Sequence, residues 1–200
     1  MATTKASRLS AVNTIISNVG QSPLNNLDSG NPLAELAEGI LDEITRAVQA
    51  EGWSFNTEFA YPVSPDQTTK EIAIRENMLS IDTAPRSDIQ VAIRGGKLYD
   101  KVNHTTEFTK DMELDIVWLL DFDDMPEAFK NYVTTRSANV FAGRTVGSTE
   151  AVRFGEREEL VARANAIEYE TQQGDYTVFS DRNDNYTYNS YRPLDALYRL

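Results

Sequence analysis

The fold is decided by the stretch Trp118-Leu-Leu-Asp-Phe-Asp-Asp-Met-Pro-Glu-Ala-Phe-Lys-Asn-Tyr-Val133, because the spacing of apolar residues changes within it. On its amino-terminal side, from Met112 to Leu120, apolar residues recur at every second position, which is the period of a β-strand. On its carboxyl-terminal side, from Phe129 to Val140, they recur three and four positions apart, which is the period of an α-helix. The stretch therefore predicts a joint between a strand and a helix.

The acidic turn at the centre of this stretch has the features of a helix start. Asp124 and Glu127 have the spacing of a capping box, in which side chains accept hydrogen bonds from backbone N–H groups that lack a partner within the helix. Pro126 lies in the predicted first turn, where its missing N–H costs nothing. We therefore predict a helix over about 125–142, with Asp124, Pro126 and Glu127 as the residues of a structural joint.

The rest of the chain is predicted as helices around a β region. One helix is expected over about 7–19, and a second, with the strongest apolar stripe, begins at Asn31-Pro32 and ends at Gly52. Alternating residues follow from Trp53, with prolines that suit an edge strand, and Gly95-Gly96 is typical of a hairpin turn rather than of a phosphate-binding loop.

A charge-rich helix is predicted from Ser148 to about Gln173. Two interpretations of it are open: a solvated outer helix, or a helix that packs on a neighbouring subunit. In the second interpretation its small residues allow close approach of the neighbour: Ala151, Ala162, Ala164 and Ala166.

Helices before and after the β region must meet to bury their apolar faces, so the expected fold is α+β. It consists of a four-helix bundle (1–52 and 125–173), an inserted small β lobe (53–124) and an extended C-terminal arm (174–200). The arm holds five of the nine tyrosines, which is more aromatic content than a disordered tail usually has. These residues are predicted to bind a partner: Tyr176, Tyr186, Tyr188, Tyr191 and Tyr198.

The composition bounds the function. Asp and Glu number 31 against 19 Lys and Arg, and the formal net charge of −12 disfavours a protein that grips nucleic acid by its phosphates. An acidic surface past which DNA slides remains compatible. The absence of cysteine fits a reducing compartment. No apolar run is long enough to span a membrane, and residues 1–8 are not followed by the apolar segment of a signal peptide.

The acidic turn is also the one candidate for chemistry. Its carboxylates could flank a glycosidic bond or hold a hard cation, although capping already accounts for two of them: Asp121, Asp123, Asp124 and Glu127. His104, the one histidine, lies in a polar loop, and a chain without cysteine is poorly suited to a zinc site. We therefore predict no catalytic, cofactor-binding or metal-binding residues, with a glycan hydrolase as the alternative.

Four motifs, in order along the chain, resemble the tail tubular protein A family of T7-like podoviruses. They are Leu9-Ser-Ala-Val-Asn13, Glu51-Gly-Trp-Ser-Phe-Asn56, Arg94-Gly-Gly-Lys-Leu-Tyr-Asp100 and Leu120-Asp-Phe-Asp-Asp-Met-Pro-Glu-Ala-Phe129. The resemblance extends to about residue 141, and the tyrosine-rich segment departs most from the family.

This resemblance implies a structural virion protein rather than an enzyme, with no cofactor. The implied assembly is a ring of twelve subunits, put together in the host cytoplasm, that joins the portal to the tail nozzle of a short tail. Tail fibres or fibre adaptors would dock at its periphery. DNA would pass through the ring during packaging and ejection without specific binding, and no membrane is involved.

Overall fold

The computed structural model of the chain describes residues 5–27, 30–83, 89–145 and 149–173, with the side chains of 149–154 outside that description. These residues form a mixed structure of four helices and two small antiparallel sheets, which is compatible with the predicted α+β class. The helices are α1 (Arg8–Ser17), α2 (Pro32–Gln49), α3 (Glu127–Thr145) and α4 (Thr149–Gln173). The strands are β1 (Thr57–Val63), β2 (Met78–Thr83), β3 (Val91–Arg94), β4 (Lys97–Asp100) and β5 (Met112–Trp118).

The larger sheet has the strand order β1–β5–β2, so the strand that leads into the joint is its centre. As predicted, β1 is an edge strand, and Pro62 lies on it. Each edge strand carries one extra residue relative to β5: in β1 between Glu58 and Tyr61, and in β2 between Met78 and Ser80. At the first of these bulges Ala60 has a positive φ of 51°, and its N–H donates to Asp115 Oδ1 at 2.9 Å.

The smaller sheet is the predicted hairpin of β3 and β4. Gly95 and Gly96 have φ of 58° and 74°, the positive values that a primed turn needs at both central positions. At the far end of the hairpin, the carboxylate of Asp100 is 3% exposed and accepts hydrogen bonds from the N–H groups of Val102 and Asn103 and from Asn103 Nδ2. This carboxylate orders the loop that follows β4.

The buried apolar residues form two clusters. The helix core contains residues of all four helices together with Phe122 and Met125 of the joint. The β core contains residues of the strands and of the loops between them. Helix α3 contacts each of the other three helices, so the helix that follows the joint is the centre of the helix core.

Two buried amides join these clusters. The Gln49 side chain, at the end of α2, bonds both backbone polar groups of Leu120. Its Nε2 donates to Leu120 O and its Oε1 accepts from Leu120 N, each at 2.8 Å. Asn56 Nδ2 donates to Gln49 O at 2.9 Å and to Trp118 O at 2.7 Å. The segment that enters the β region is therefore fastened to the segment that leaves it.

The joint differs from the prediction in its capping. A short 3-10 turn (Phe122–Asp124) precedes α3, which begins at Glu127, so Pro126 lies just before the helix and not within its first turn. The exposed carboxylate of Asp124 makes no hydrogen bond to the described residues, and the predicted capping box is not formed. Instead, Glu127 Oε2 accepts from the N–H of Ala6 at 3.2 Å, because the segment before α1 lies against the start of α3.

The end of α3 differs from its predicted position, and two other predictions concern residues outside the described ranges. Helix α3 continues through Gly143 to Thr145, whose hydroxyl bonds Phe141 O, whereas the sequence predicted an end near Ala142. A single glycine near a helix end costs only about 1 kcal/mol and does not stop the helix. The capping residue Ser148 and the predicted arm, including Tyr176, Tyr186, Tyr188, Tyr191 and Tyr198, lie outside the described residues. No helix in the described part is long and apolar enough to cross a membrane.

We predict that Gln49→Leu destabilises the protein by about 2–4 kcal/mol, because it leaves the buried N–H and C=O of Leu120 without partners. Urea unfolding followed by circular dichroism measures this change. Thr45→Val on the same helix is the matched control: the Thr45 hydroxyl is buried without a hydrogen-bond partner, so its loss should be neutral or stabilising. Equal stability of Gln49→Leu and wild type would contradict the role given to the amide.

We predict that the effect of Asp100→Asn depends on pH. Burial acts to raise the pKa of Asp100, but the hydrogen bonds from Asn103 and Val102 outweigh it, and the net shift is downward. A lowered folded-state pKa means that the carboxylate stabilises the fold above the unfolded pKa of about 3.9 and that this stabilisation is lost as pH falls through the folded value.

The substitution should therefore cost about 1–2 kcal/mol at pH 7 in urea unfolding, and the difference from wild type should shrink as the pH falls below the unfolded pKa of about 3.9. Asp111→Asn, at an exposed carboxylate without a hydrogen bond to the described residues, should leave stability at pH 7 unchanged. A difference that stays constant with pH would contradict the assignment.

Candidate assembly surface

Helix α4 packs closely on α3 because small residues face it. The backbone at Gly155 lies against the Asn139 side chain, and a Cβ there would overlap the amide. Ala162 and Ala166 are buried in the helix core of their own chain. The interpretation that these two alanines allow a neighbouring subunit to approach is therefore wrong, since they allow α3 to approach. Ala164 is exposed, and the Ala151 side chain lies outside the described residues.

Polar contacts fix the orientation of α4. The Arg163 guanidinium donates to both carboxylate oxygens of Glu51, at 3.2 and 2.9 Å, and to Tyr132 Oη at 2.8 Å. These hydrogen bonds, first to Glu51 and then to Tyr132, raise the pKa of Arg163. Glu159 accepts from Asn139 Nδ2 at 3.0 Å and lies 3.6 Å from Arg136 Nε. The helix is thus held at several points along its length.

The solvent-facing side of α4 carries a group of exposed apolar residues among its charged ones. Leu160 is 69% exposed, Val161 61% and Ile167 44%. Leu160, Ala164 and Ile167 have the i, i+4, i+7 spacing of a single stripe, and Val161 lies beside it. We call these four residues the α4 outer face. A contiguous apolar surface of this kind marks a site of interaction with another molecule.

An open groove of about 400 Å³ borders this face where α4 meets α3. Its lining combines amides, a hydroxyl and charged groups with the side chain of Val161: Asn131, Thr135, Arg157, Glu158, Val161, Ala162 and Asn165. Arg157 makes no ion pair with the described residues. Apolar residues beside a polar rim are the usual anatomy of a protein–protein interface.

Two carboxylates of the acidic turn, the predicted candidate for chemistry, make structural contacts: those of Asp123 and Glu127. Asp123 Oδ1 accepts from the N–H of Arg8 at 2.9 Å. Lys130, which is 2% exposed, donates to Glu127 Oε1 at 3.2 Å and to Ala6 O at 3.1 Å. Burial acts to raise the pKa of Glu127, but the hydrogen bonds from Ala6 and Lys130 outweigh it and lower that pKa.

A glycosidase acid needs a raised pKa, so that it still carries its proton near neutral pH. The pKa of Glu127 is shifted in the other direction. His104 is exposed in the loop after β4, with its Nδ1 3.4 Å from Tyr99 Oη, and belongs to a different part of the fold. Within the described ranges no three His, Cys, Asp or Glu residues are grouped so as to hold a metal ion.

Inspection of the sequence missed the α4 outer face. The signal was present, because Leu160 and Ile167 lie seven residues apart in a helix otherwise rich in charge. The prediction for this helix rested on its alanines, and nothing in the sequence distinguishes the alanines that face α3 from Ala164, which faces outward.

Comparisons with known proteins agree with the resemblance found in the motifs. A family model described as "Tail tubular protein" matches residues 9–176 of this chain. Tail tubular protein A of Klebsiella phage KP34 is 28% identical over 152 residues, which cover 76% of this chain and 80% of that protein. The family match spans the helices, both sheets and the joint. The chain therefore belongs to the tail tubular protein family and is a structural component of a bacteriophage tail.

Proposed function

We propose that the protein is a ring-forming tail adaptor that joins the portal to the tail nozzle and forms part of the channel for genome ejection. The α4 outer face is the main support for this proposal. It is an apolar stripe on a helix that Arg163 and Glu159 hold in place, so it can be buried against another protein without rearrangement. A further copy of the same chain is the partner that a ring requires.

In this proposal the helices act as one bundle, assembled from residues 1–52 and 125–173, and the β region of residues 53–124 projects from it as an inserted lobe. The separate helix and β cores support such a division. The joint, with Asp124, Pro126 and Glu127, is the return path from lobe to bundle. Bundles would stand side by side around the ring, which places the α4 outer face of each copy against the next.

The acidic character of the chain is compatible with a channel through which DNA passes. With a net charge of −12 on each subunit, a dodecameric ring would repel the phosphates of DNA that passes through it. Repulsion of this kind keeps DNA from binding to the wall during packaging and ejection. It also requires that contacts between subunits overcome the repulsion between like-charged copies, which an apolar stripe does independently of charge.

The remaining partners in the proposal are the portal, the nozzle and a tail fibre or fibre adaptor, met during assembly in the host cytoplasm. The tyrosine-rich segment 174–200 would serve as the docking arm, because tyrosine combines a large apolar surface with a polar hydroxyl and is enriched at interfaces. We assign no enzymatic activity and no cofactor. The lowered pKa of Glu127 supports this view of the acidic turn.

We predict that Leu160→Glu combined with Ile167→Glu shifts the protein from rings to monomers. Burial of each side chain contributes about 1.5–3 kcal/mol, so the loss of both should weaken subunit association at least about a hundredfold. Both residues are exposed in the subunit, so its circular dichroism should not change. Sedimentation velocity over a concentration series, with negative-stain microscopy, measures the assembly.

Gln172→Glu with Gln173→Glu is the matched control, because it adds the same two charges to exposed positions of α4 without removing apolar surface. This control should assemble as wild type does. Normal rings of the Leu160 and Ile167 variant would contradict the role of the α4 outer face. A wild-type protein that stays monomeric at all concentrations, with or without portal, would contradict the adaptor proposal itself.

We predict that truncation after Gln173 leaves a folded subunit that docks poorly on its partners. The truncated chain keeps every residue of the helix core and the β core, so it should still fold and unfold cooperatively. Binding to purified portal or nozzle protein should weaken strongly in pull-down and interferometry measurements. Full-length chains with the five arm tyrosines changed to Phe or to Ser separate the two contributions: Phe should retain most of the binding and Ser should lose it. Unchanged docking of the truncated chain would show that the arm is not the binding segment.

A further inference from the structure

The β3–β4 hairpin has one buried face and one outer face. Val91 pairs with Asp100 and Ile93 with Leu98, so these four side chains lie on the same side of the hairpin. Three of them, Val91, Leu98 and Asp100, are buried in or beside the β core. The other side carries Ala92, Arg94, Lys97 and Tyr99. Gln90 and Lys101 directly flank the two strands and continue the alternation on this side, and Lys101 N donates to Gln90 O at 2.7 Å. We call these six residues the hairpin outer face.

The hairpin outer face is basic in a chain with an excess of acidic residues. Three of its six residues are cationic, and none is acidic. Between residues 89 and 106 the one carboxylate is Asp100, which lies on the buried side and accepts hydrogen bonds from Val102 and Asn103. The hairpin therefore contributes cations and no carboxylate of its own to its outer face.

Two of the cations remain available to a partner. Lys97 Nζ is 2.7 Å from Glu71 Oε2 and is neutralised within the chain. The Arg94 guanidinium lies 3.8 Å from the centre of the Tyr99 ring, a stack that orients the guanidinium and leaves its N–H edge free for a carboxylate. Neither Arg94 nor Lys101 forms an ion pair with the described residues.

A complementary surface exists on the same chain. Many acidic residues of the helical part already form ion pairs with cations of their own chain: Glu38, Asp42, Glu43, Glu51, Glu127 and Glu159. Two residues of the acidic turn, Asp121 and Asp124, are different. These two residues are exposed and three positions apart, and their carboxylates make neither a hydrogen bond nor an ion pair with the described residues. They flank Phe122, which belongs to the helix core.

We propose that the hairpin outer face of one copy binds the acidic turn of the next, with Arg94 and Lys101 facing Asp121 and Asp124. This inference rests on the proposed ring and names a contact within it. The two surfaces are different patches of one chain, and a contact between different patches is heterologous, the kind that generates rings. A contact of either patch with itself would place like charges together, which is unfavourable.

A second copy fits this face better than nucleic acid does. Arg94 and Lys101 can neutralise only two phosphates, so binding of nucleic acid would be weak at physiological salt. The net negative charge of the chain opposes such binding further. Two carboxylates on a protein surface match the two cations in number. Such pairs set register and orientation, whereas the apolar α4 outer face contributes most of the affinity.

The test is a charge exchange in the full-length chain, with assembly measured by sedimentation and negative-stain microscopy at low salt. Arg94→Glu with Lys101→Glu should raise the concentration for half-assembly about tenfold or more, and so should Asp121→Lys with Asp124→Lys. The chain that carries all four changes should assemble within about threefold of wild type, because the pairs are restored with reversed signs. Lys101→Glu with Asp124→Lys repeats the exchange without disturbing the Arg94–Tyr99 stack.

Lys70→Glu with Lys110→Glu is the matched control, since it reverses two exposed cations of the β region outside the hairpin outer face and should assemble normally. Normal rings of the reversed pairs, or no recovery on combining them, would overturn the contact while leaving the adaptor proposal intact. Hairpin variants that form normal rings but lose salt-dependent retention of duplex DNA would overturn it in favour of a phosphate contact. A wild-type protein that never forms rings would overturn both.

Discussion

The paired hydrogen bonds between the Gln49 amide and the backbone of Leu120 are the constraint on which the arrangement of the chain depends. They join residues 71 positions apart, at the place where the chain enters and leaves the β region. Asn56 adds a second fastening between the same two segments. A β region tied to the helices in this way keeps one position relative to them, because moving it would leave the Gln49 amide and the N–H and C=O of Leu120 without their partners. The position of the hairpin relative to the acidic turn follows from this tie.

The change of apolar period in the sequence was sufficient to locate β5 and α3, because burial along one face of an element is a local property of the chain. The same reasoning could not predict which groups form hydrogen bonds with the side chains of the joint. Glu127 bonds Ala6, which lies 121 positions away, and no local spacing reports such a pair. The capping box of Asp124 and Glu127 was the best prediction from local spacing. It does not form, because Glu127 bonds the N–H of Ala6 instead.

The surfaces used in the two proposals differ in how far sequence could reveal them. The Gly95-Gly96 turn predicted the hairpin, but the basic face is recognised only from the register, which places Arg94 and Lys97 on one side and Asp100 on the other. For α4, the sequence could not show which side α3 covers, since Ala162 and Ala164 are the same residue type two positions apart. In the structure Ala162 is buried and Ala164 is exposed. This difference identifies the outer side of α4, on which Leu160 and Ile167 lie.

The irregular edges of the larger sheet have a consequence for solubility. Open strand edges invite pairing with strands of other molecules and hence aggregation. Here β1 carries Pro62, which has no N–H to offer, and turns the N–H of Ala60 inward to Asp115, while β2 is interrupted by its own bulge. Neither edge presents a regular ladder to a second chain. Subunits that accumulate before they assemble are thereby protected from joining edge to edge.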